Sequence, residues 1–71
     1  MSGTSRFGIG PDQVGRRVTM RFSLPGGRAS EAVGVLLEWP PDSSGELVVE
    51  NRRGELIRVP VAAITAARVI G

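Results

Sequence analysis

The fold is decided by the stretch ELVVENRRGELIRVP, residues 46–60. In its middle, Asn51 and Gly54 stand where a type I turn followed by a left-handed glycine needs them, which predicts a three-residue hairpin loop. Such a loop pairs Asn51 with Glu55. The same register places four apolar residues on one face as cross-strand pairs, Leu47 with Val59 and Val49 with Ile57. A slip by one residue would mix apolar and charged side chains on that face, so the stretch predicts two antiparallel strands, 46–51 and 55–59.

The opposite face of this hairpin carries both charged and apolar residues, namely Val48, Glu50, Leu56 and Arg58. Glu50 and Arg58 are diagonal neighbours of opposite charge on this face. Val48 and Leu56 make the face more apolar than a solvated surface requires. We therefore predict that Val48 and Leu56 form a protein-contact face.

Two further strands are indicated upstream of the hairpin. From Arg17 the chain alternates apolar and polar residues up to Leu24, which is typical of a half-buried strand. Residues 24–27, Leu-Pro-Gly-Gly, place Pro and Gly at the two central positions of a type II turn. The next strand covers roughly 31–39, and Gly34 within it suggests a bend or bulge. Its alternation predicts four inward-facing residues, Val33, Val35, Leu37 and Trp39.

Downstream of the hairpin, the pattern predicts one helical turn and one last strand. Pro60 ends the fourth strand because proline cannot donate to a ladder. Residues 61–64 are too few for a stable helix and form a single turn that carries Ile64 inward. Residues 66–70 form the fifth strand. The fold class is therefore all-β, a small five-stranded SH3-like barrel with one short helical turn before the last strand; the alternative is an Sm-like barrel.

The chain divides into an arm and one domain. Residues 1–12 are rich in Gly and Ser and are predicted to be a flexible N-terminal arm, although Phe7 and Ile9 could form a short edge strand. Residues 13–71 form the barrel domain. Its predicted core comprises Val18, Met20, Phe22, Val35, Leu37, Leu47, Val49, Ile57, Val59 and Ile64.

The composition excludes most enzyme chemistry. The 71 residues include no Cys, His, Lys or Tyr. These absences remove thiolate and imidazole groups, the lysine of phosphate-binding loops and Schiff-base chemistry. No pair of carboxylates is placed in an apolar pocket by the sequence, as acid–base catalysis would need. We predict no catalytic, cofactor-binding or metal-binding residue, no cofactor, and a chain that is not itself an enzyme.

The charge is mildly positive, because nine arginines stand against seven acidic residues, a net charge of +2. Five of the arginines form two clusters that would make a basic patch suited to phosphate contacts if they converged: Arg16, Arg17 and Arg21, then Arg52 and Arg53. Weak nucleic-acid binding, as in KOW-like or Sm-like barrels, is therefore the alternative function. No apolar run approaches the roughly 20 residues of a membrane span, and the first residues lack a signal-peptide core. We expect no membrane association and a cytoplasmic location.

Four stretches together are similar to one known family: VGRRVTMRF at 14–22, VGVL at 33–36, LVV at 47–49 and IRVPVAAI at 57–64. They resemble the SH3-like domain at the N-terminus of certain actinobacterial GNAT-type N-acetyltransferases, over about residues 13–70. The resemblance implies a non-catalytic accessory domain of an acetyl-CoA-dependent N-acetyltransferase. It also implies a partner, either the downstream catalytic domain of the parent chain or another protein.

Overall fold

The computed structural model describes residues 8–71 as five antiparallel strands in one sheet. The strands are β1 (Arg17–Ser23), β2 (Ala29–Glu38), β3 (Glu46–Glu50), β4 (Leu56–Pro60) and β5 (Ile64–Val69). A 3-10 turn, Val61–Ala63, precedes the last strand, so the all-β class and the single helical turn at that place are confirmed. A second 3-10 turn, Pro11–Gln13, precedes β1 and was not predicted. No helix within residues 8–71 is long and apolar enough to cross a bilayer.

The strand order in the sheet is β4-β3-β2-β1-β5. The first four strands follow one another as neighbours, and β5 returns to the free edge of β1. The predicted register of the β3–β4 hairpin is confirmed, because Leu47 pairs with Val59 and Val49 with Ile57. Gly54 has a φ of +81°, which places it in the left-handed region as the loop requires.

The β1–β2 connection also follows its sequence. The N–H of Gly27 donates to the carbonyl oxygen of Leu24 at 3.1 Å, and Gly26 has a φ of +89°. Both observations fit the predicted type II turn with glycine at its third position. In β1 the inward side chains are Val18, Met20 and Phe22, all buried as the alternation predicts.

The inner face of β2 is the reverse of the predicted one. Val33 and Leu37 are exposed, Val35 is half-buried, and the buried residues are Ala32, Gly34 and Leu36. The reason is the pairing with β1: Val18 lies opposite Gly34 and Met20 opposite Ala32, and directly paired residues share a face. The register shifts between Leu36 and Glu38, where a bulge changes the alternation. Trp39 therefore packs against the core although Val33 does not.

The core combines all five strands with one residue from before β1. It consists of Ile9, Val18, Met20, Phe22, Ala32, Leu36, Leu47, Val49, Val59 and Ile64. Seven predicted core residues are confirmed; Ile57 is half-buried against the core, and the prediction for Leu37 is wrong. Ile9 is 1% exposed, so this part of the predicted arm packs on the domain. Burying an isoleucine contributes roughly 1.5–3 kcal/mol, which offsets the cost of ordering its backbone. Phe7 lies outside the described residues.

Candidate functional site

A cleft of about 320 Å³ opens on the outer face of the sheet, where β1, β2 and the end of β3 meet. We call it the arginine cleft. Its walls come from three parts of the chain: Arg17, Val33, Gly34, Val35, Glu50, Asn51 and Arg52. It brings together one arginine from each of the two predicted clusters, Arg17 and Arg52.

The sheet register explains why these residues meet. Arg17 pairs with Val35 across β1 and β2, and Val35 pairs with Glu50 across β2 and β3. Paired residues share a face, so these three side chains form one row on the outside of the sheet. Neighbouring strands lie about 4.8 Å apart, so the row places Arg17 and Glu50 roughly 10 Å apart at their backbones. Val33 is one step further along the same face of β2.

Gly34 allows the end of β3 to approach β2 closely. A Cβ atom at this position would overlap the carbonyl oxygen of Glu50. It would also lie 2.8 Å from the carbonyl carbon of Glu50 and 2.9 Å from the Cα of Asn51. These neighbours are backbone atoms and cannot rotate away. The floor of the arginine cleft therefore depends on the absence of a side chain at residue 34.

The loop that carries Arg52 is held by the side chain of Asn51. Its Oδ1 accepts hydrogen bonds from the N–H of Arg53 at 2.9 Å and the N–H of Glu55 at 3.0 Å. Its Nδ2 donates to Oε1 of Glu55 at 3.0 Å. This Asx-type arrangement fixes the turn and so the direction in which Arg52 leaves the backbone. Arg53 is exposed at the same tip but does not line the cleft.

The arginine cleft has a positive balance of charge. Arg17 and Arg52 are exposed and Glu50 is half-buried, so two guanidinium groups stand against one carboxylate. In the part of the chain that the structure describes, the one salt bridge joins Arg21 to Glu31 at 3.8 Å, with both side chains 61% exposed. Neither cleft arginine is therefore neutralised by an ion pair. Both guanidinium groups can hydrogen-bond an anion that enters the cleft.

The other arginines of the predicted basic patch lie elsewhere. Arg16 donates from Nε to the carbonyl oxygen of Gly71 at 3.0 Å, and Arg21 is paired with Glu31. Arg21 lines a separate groove between β1 and β5. Arg68 lines this groove too, and no sequence cluster pointed to it. The five arginines thus do not form one patch.

The predicted protein-contact face is only half present at the surface. Leu56 is 57% exposed, but Val48 is 4% exposed, so the expectation that Val48 is accessible is wrong. Leu47 and Val49 are also buried, which means that β3 is covered on both faces. Alternation alone predicts a strand with one solvated face, and so it could not reveal this burial.

The remaining polar groups have a structural arrangement. Asp42 accepts hydrogen bonds from the hydroxyl and the N–H of Ser44, and these bonds lower the pKa of the Asp42 carboxyl below its ordinary value. They order the loop between β2 and β3 as an Asx turn. Across residues 8–71 there is no group of three or more His, Cys, Asp or Glu residues that could hold a metal ion.

Comparison with known proteins corrects the acetyltransferase resemblance. A family model described as the Rv0428c N-terminal Sm-like domain matches residues 12–68. No curated protein and no solved structure matches the chain. The match does not support an SH3-like domain of GNAT acetyltransferases, because the stretches that carried that resemblance are core and turn residues needed by any small barrel. The Sm-like alternative is the one that agrees with the match. Since the matched segment is most of the chain, the protein belongs to the Rv0428c N-terminal Sm-like domain family.

Proposed function

We propose that this domain is a non-catalytic nucleic-acid-binding module whose arginine cleft holds the backbone of a single strand. The observation that carries the proposal is the convergence of Arg17 and Arg52, from distant parts of the sequence, on one cleft. Sm-like domains interact with other proteins or with nucleic acids. The unpaired guanidinium groups of this cleft favour nucleic acid, because their planar forks match phosphate oxygens.

The apolar floor of the cleft suits the rest of a nucleotide. Val33 and Val35 lie between the two arginines and offer a surface for a sugar or a base. Guanidinium planes can also stack on unpaired bases. A cleft of about 320 Å³ is at the lower end of the range for small-molecule sites. It matches one or two nucleotides of a single strand, not a double helix.

The affinity of this site depends on charge, not on aromatic stacking. Phe22 is buried, and Trp39 packs against the core. Neither ring is therefore available as the stacking platform that many single-strand binders use. Binding through phosphates alone is sensitive to salt, with a slope of roughly 0.7 per phosphate in a plot of log K against log salt concentration. We expect weak binding that falls as salt rises.

Glu50 limits the affinity of the cleft. Its carboxylate is half-buried beside Arg17 and Arg52 and would repel a phosphate held by them. The variant Glu50→Gln keeps the size of the side chain and removes the charge. We expect it to bind a single strand more tightly than the wild type, by up to about fivefold. Unchanged or weaker binding by Glu50→Gln would place the phosphates away from the cleft.

The direct test uses fluorescence anisotropy with labelled single strands of RNA and DNA of about ten nucleotides. Arg17→Gln and Arg52→Gln are compared with Arg28→Gln, which changes an exposed arginine in the β1–β2 turn at the far end of β1. We expect each cleft variant to weaken binding about two- to fivefold and to reduce the salt slope by about 0.7. Arg28→Gln is expected to behave as the wild type.

Two results would argue against the proposal. If Arg28→Gln weakens binding as much as Arg17→Gln, the attraction is a general effect of net charge. If no single strand binds even at low salt, the domain is an interaction module for another protein, with exposed Leu56 as the first residue to examine.

A further inference from the structure

A second, larger depression lies on the same outer face of the sheet. It has a volume of about 530 Å³ and follows the boundary between β1 and β5. We call it the β1–β5 groove. The side chains that line it from the outer face are Thr19, Arg21, Glu31, Ala66 and Arg68. The small side chain of Ala66 leaves its floor open.

The arginine cleft and the β1–β5 groove are adjacent along β1. Arg17 lines the first and Thr19 the second. These two residues are two positions apart, so they point to the same face with roughly 6.8 Å between them. Arg68 lies directly opposite Thr19 in the pairing of β1 with β5. A ligand that leaves the cleft over Arg17 therefore enters the groove beside Arg68.

The two arginines of the groove differ in their availability. Arg21 is neutralised by Glu31, which lies opposite it in β2. Arg68 is exposed and forms no salt bridge with any residue from 8 to 71. Arg68 thus continues the series of unpaired cations that Arg52 and Arg17 begin. From the end of β3 to β5 this series crosses three strand spacings, roughly 14 Å.

We infer that a single strand held in the arginine cleft continues across β1 into the β1–β5 groove, where Arg68 contacts a further phosphate. This inference rests on the proposed function and extends its site. At the 3.4 Å rise per nucleotide of a stacked strand, roughly 14 Å corresponds to about four nucleotides. A dinucleotide fits within the cleft and does not reach Arg68. A strand of about six nucleotides contacts the whole series.

The test measures affinity as a function of strand length. Labelled oligonucleotides of about two, four, six and eight nucleotides are titrated into the wild type, Arg17→Gln, Arg68→Gln and Arg58→Gln at one low salt concentration. Arg58→Gln is the control, because Arg58 is an exposed arginine of β4 that lines neither depression. Urea unfolding midpoints confirm that each variant is folded.

We expect Arg17→Gln to weaken binding at every length and Arg68→Gln to weaken it two- to fivefold only from about four nucleotides upwards. Arg58→Gln is expected to match the wild type at all lengths. The inference is overturned if Arg68→Gln matches the wild type at all lengths while Arg17→Gln still weakens binding. It is also overturned if Arg68→Gln weakens the dinucleotide as much as the longer strands. If Arg17→Gln has no effect at any length, the proposed function itself fails.

Discussion

Replacement of Gly34 by alanine tests the close approach of β2 and β3 on which the arginine cleft depends. The added Cβ atom would overlap the carbonyl oxygen of Glu50 and lie 2.9 Å from the Cα of Asn51. Both neighbours belong to the backbone, so relief requires the end of β3 to move away from β2. That movement would disturb the pairing of Val35 with Glu50 at the centre of the site.

The size of the effect follows from the size of the domain. Forcing an extra methyl group into a packed position costs typically 1–3 kcal/mol, and backbone contact places this case at the upper end. At about 0.05–0.15 kcal/mol per residue, a chain of 71 residues has a total stability of roughly 4–11 kcal/mol. Gly34→Ala should therefore remove a large share of the free energy of unfolding.

Thermal unfolding followed by circular dichroism gives the measurement. A loss of 1 kcal/mol lowers the Tm of a domain of this size by about 4–8 °C, so we expect a decrease of about 8–20 °C for Gly34→Ala. Gly71→Ala is the matched control, because its Cβ would make an ordinary contact of 3.5 Å with the Cβ of Arg17. If the two variants unfold at the same temperature, β2 and β3 do not approach as described and the floor of the cleft is wrong.

Three further predictions concern the core, the hairpin and the β2–β3 loop. Leu36→Ala should cost about 2–5 kcal/mol in urea unfolding and Leu37→Ala less than about 1 kcal/mol, since Leu36 is fully buried and Leu37 is 38% exposed; equal costs would restore the predicted face of β2. Gly54→Ala should cost about 1–2 kcal/mol in the same assay, because its φ of +81° strains any other residue, and an unchanged midpoint would refute the turn. The lowered pKa of Asp42 means that its bonds from Ser44 stabilise the fold above about pH 4 and are lost as the pH falls through the lower folded pKa. Asp42→Asn should therefore lose less stability than the wild type between about pH 5 and pH 2, and an equal loss in both would contradict this role.

The β3–β4 hairpin could be predicted in full because two independent signals agree. The loop Asn-Arg-Arg-Gly specifies which residues pair, and the apolar pattern accepts only that register. In β2 the second signal is missing, since Val33 and Val35 are as apolar as Leu36. Only the pairing with β1 decides which of them face inward. The bulge after Leu36 then brings Trp39 to the core, and no local pattern predicts that change.

The candidate site could be predicted in its parts but not in its assembly. The arginine clusters were visible in the sequence, and Arg17 and Arg52 belong to them. Their convergence depends on the register of three strands and on the close approach at Gly34, which no local pattern contains. Arg68 is a single charge in β5, so it gave no cluster signal. Its position opposite Thr19 appears only when the return of β5 to β1 is known.

The central claim is that the arginine cleft binds a single strand of nucleic acid, and backbone amide chemical shifts test it residue by residue. Spectra of the labelled domain are recorded as an oligonucleotide of about eight nucleotides is added at low salt and again near 0.15 M salt. The account predicts saturable shifts at Arg17, Val33, Gly34 and Arg52 that shrink at the higher salt concentration. Saturable shifts confined to β4 around Leu56, or no saturable shifts at low salt, would contradict it.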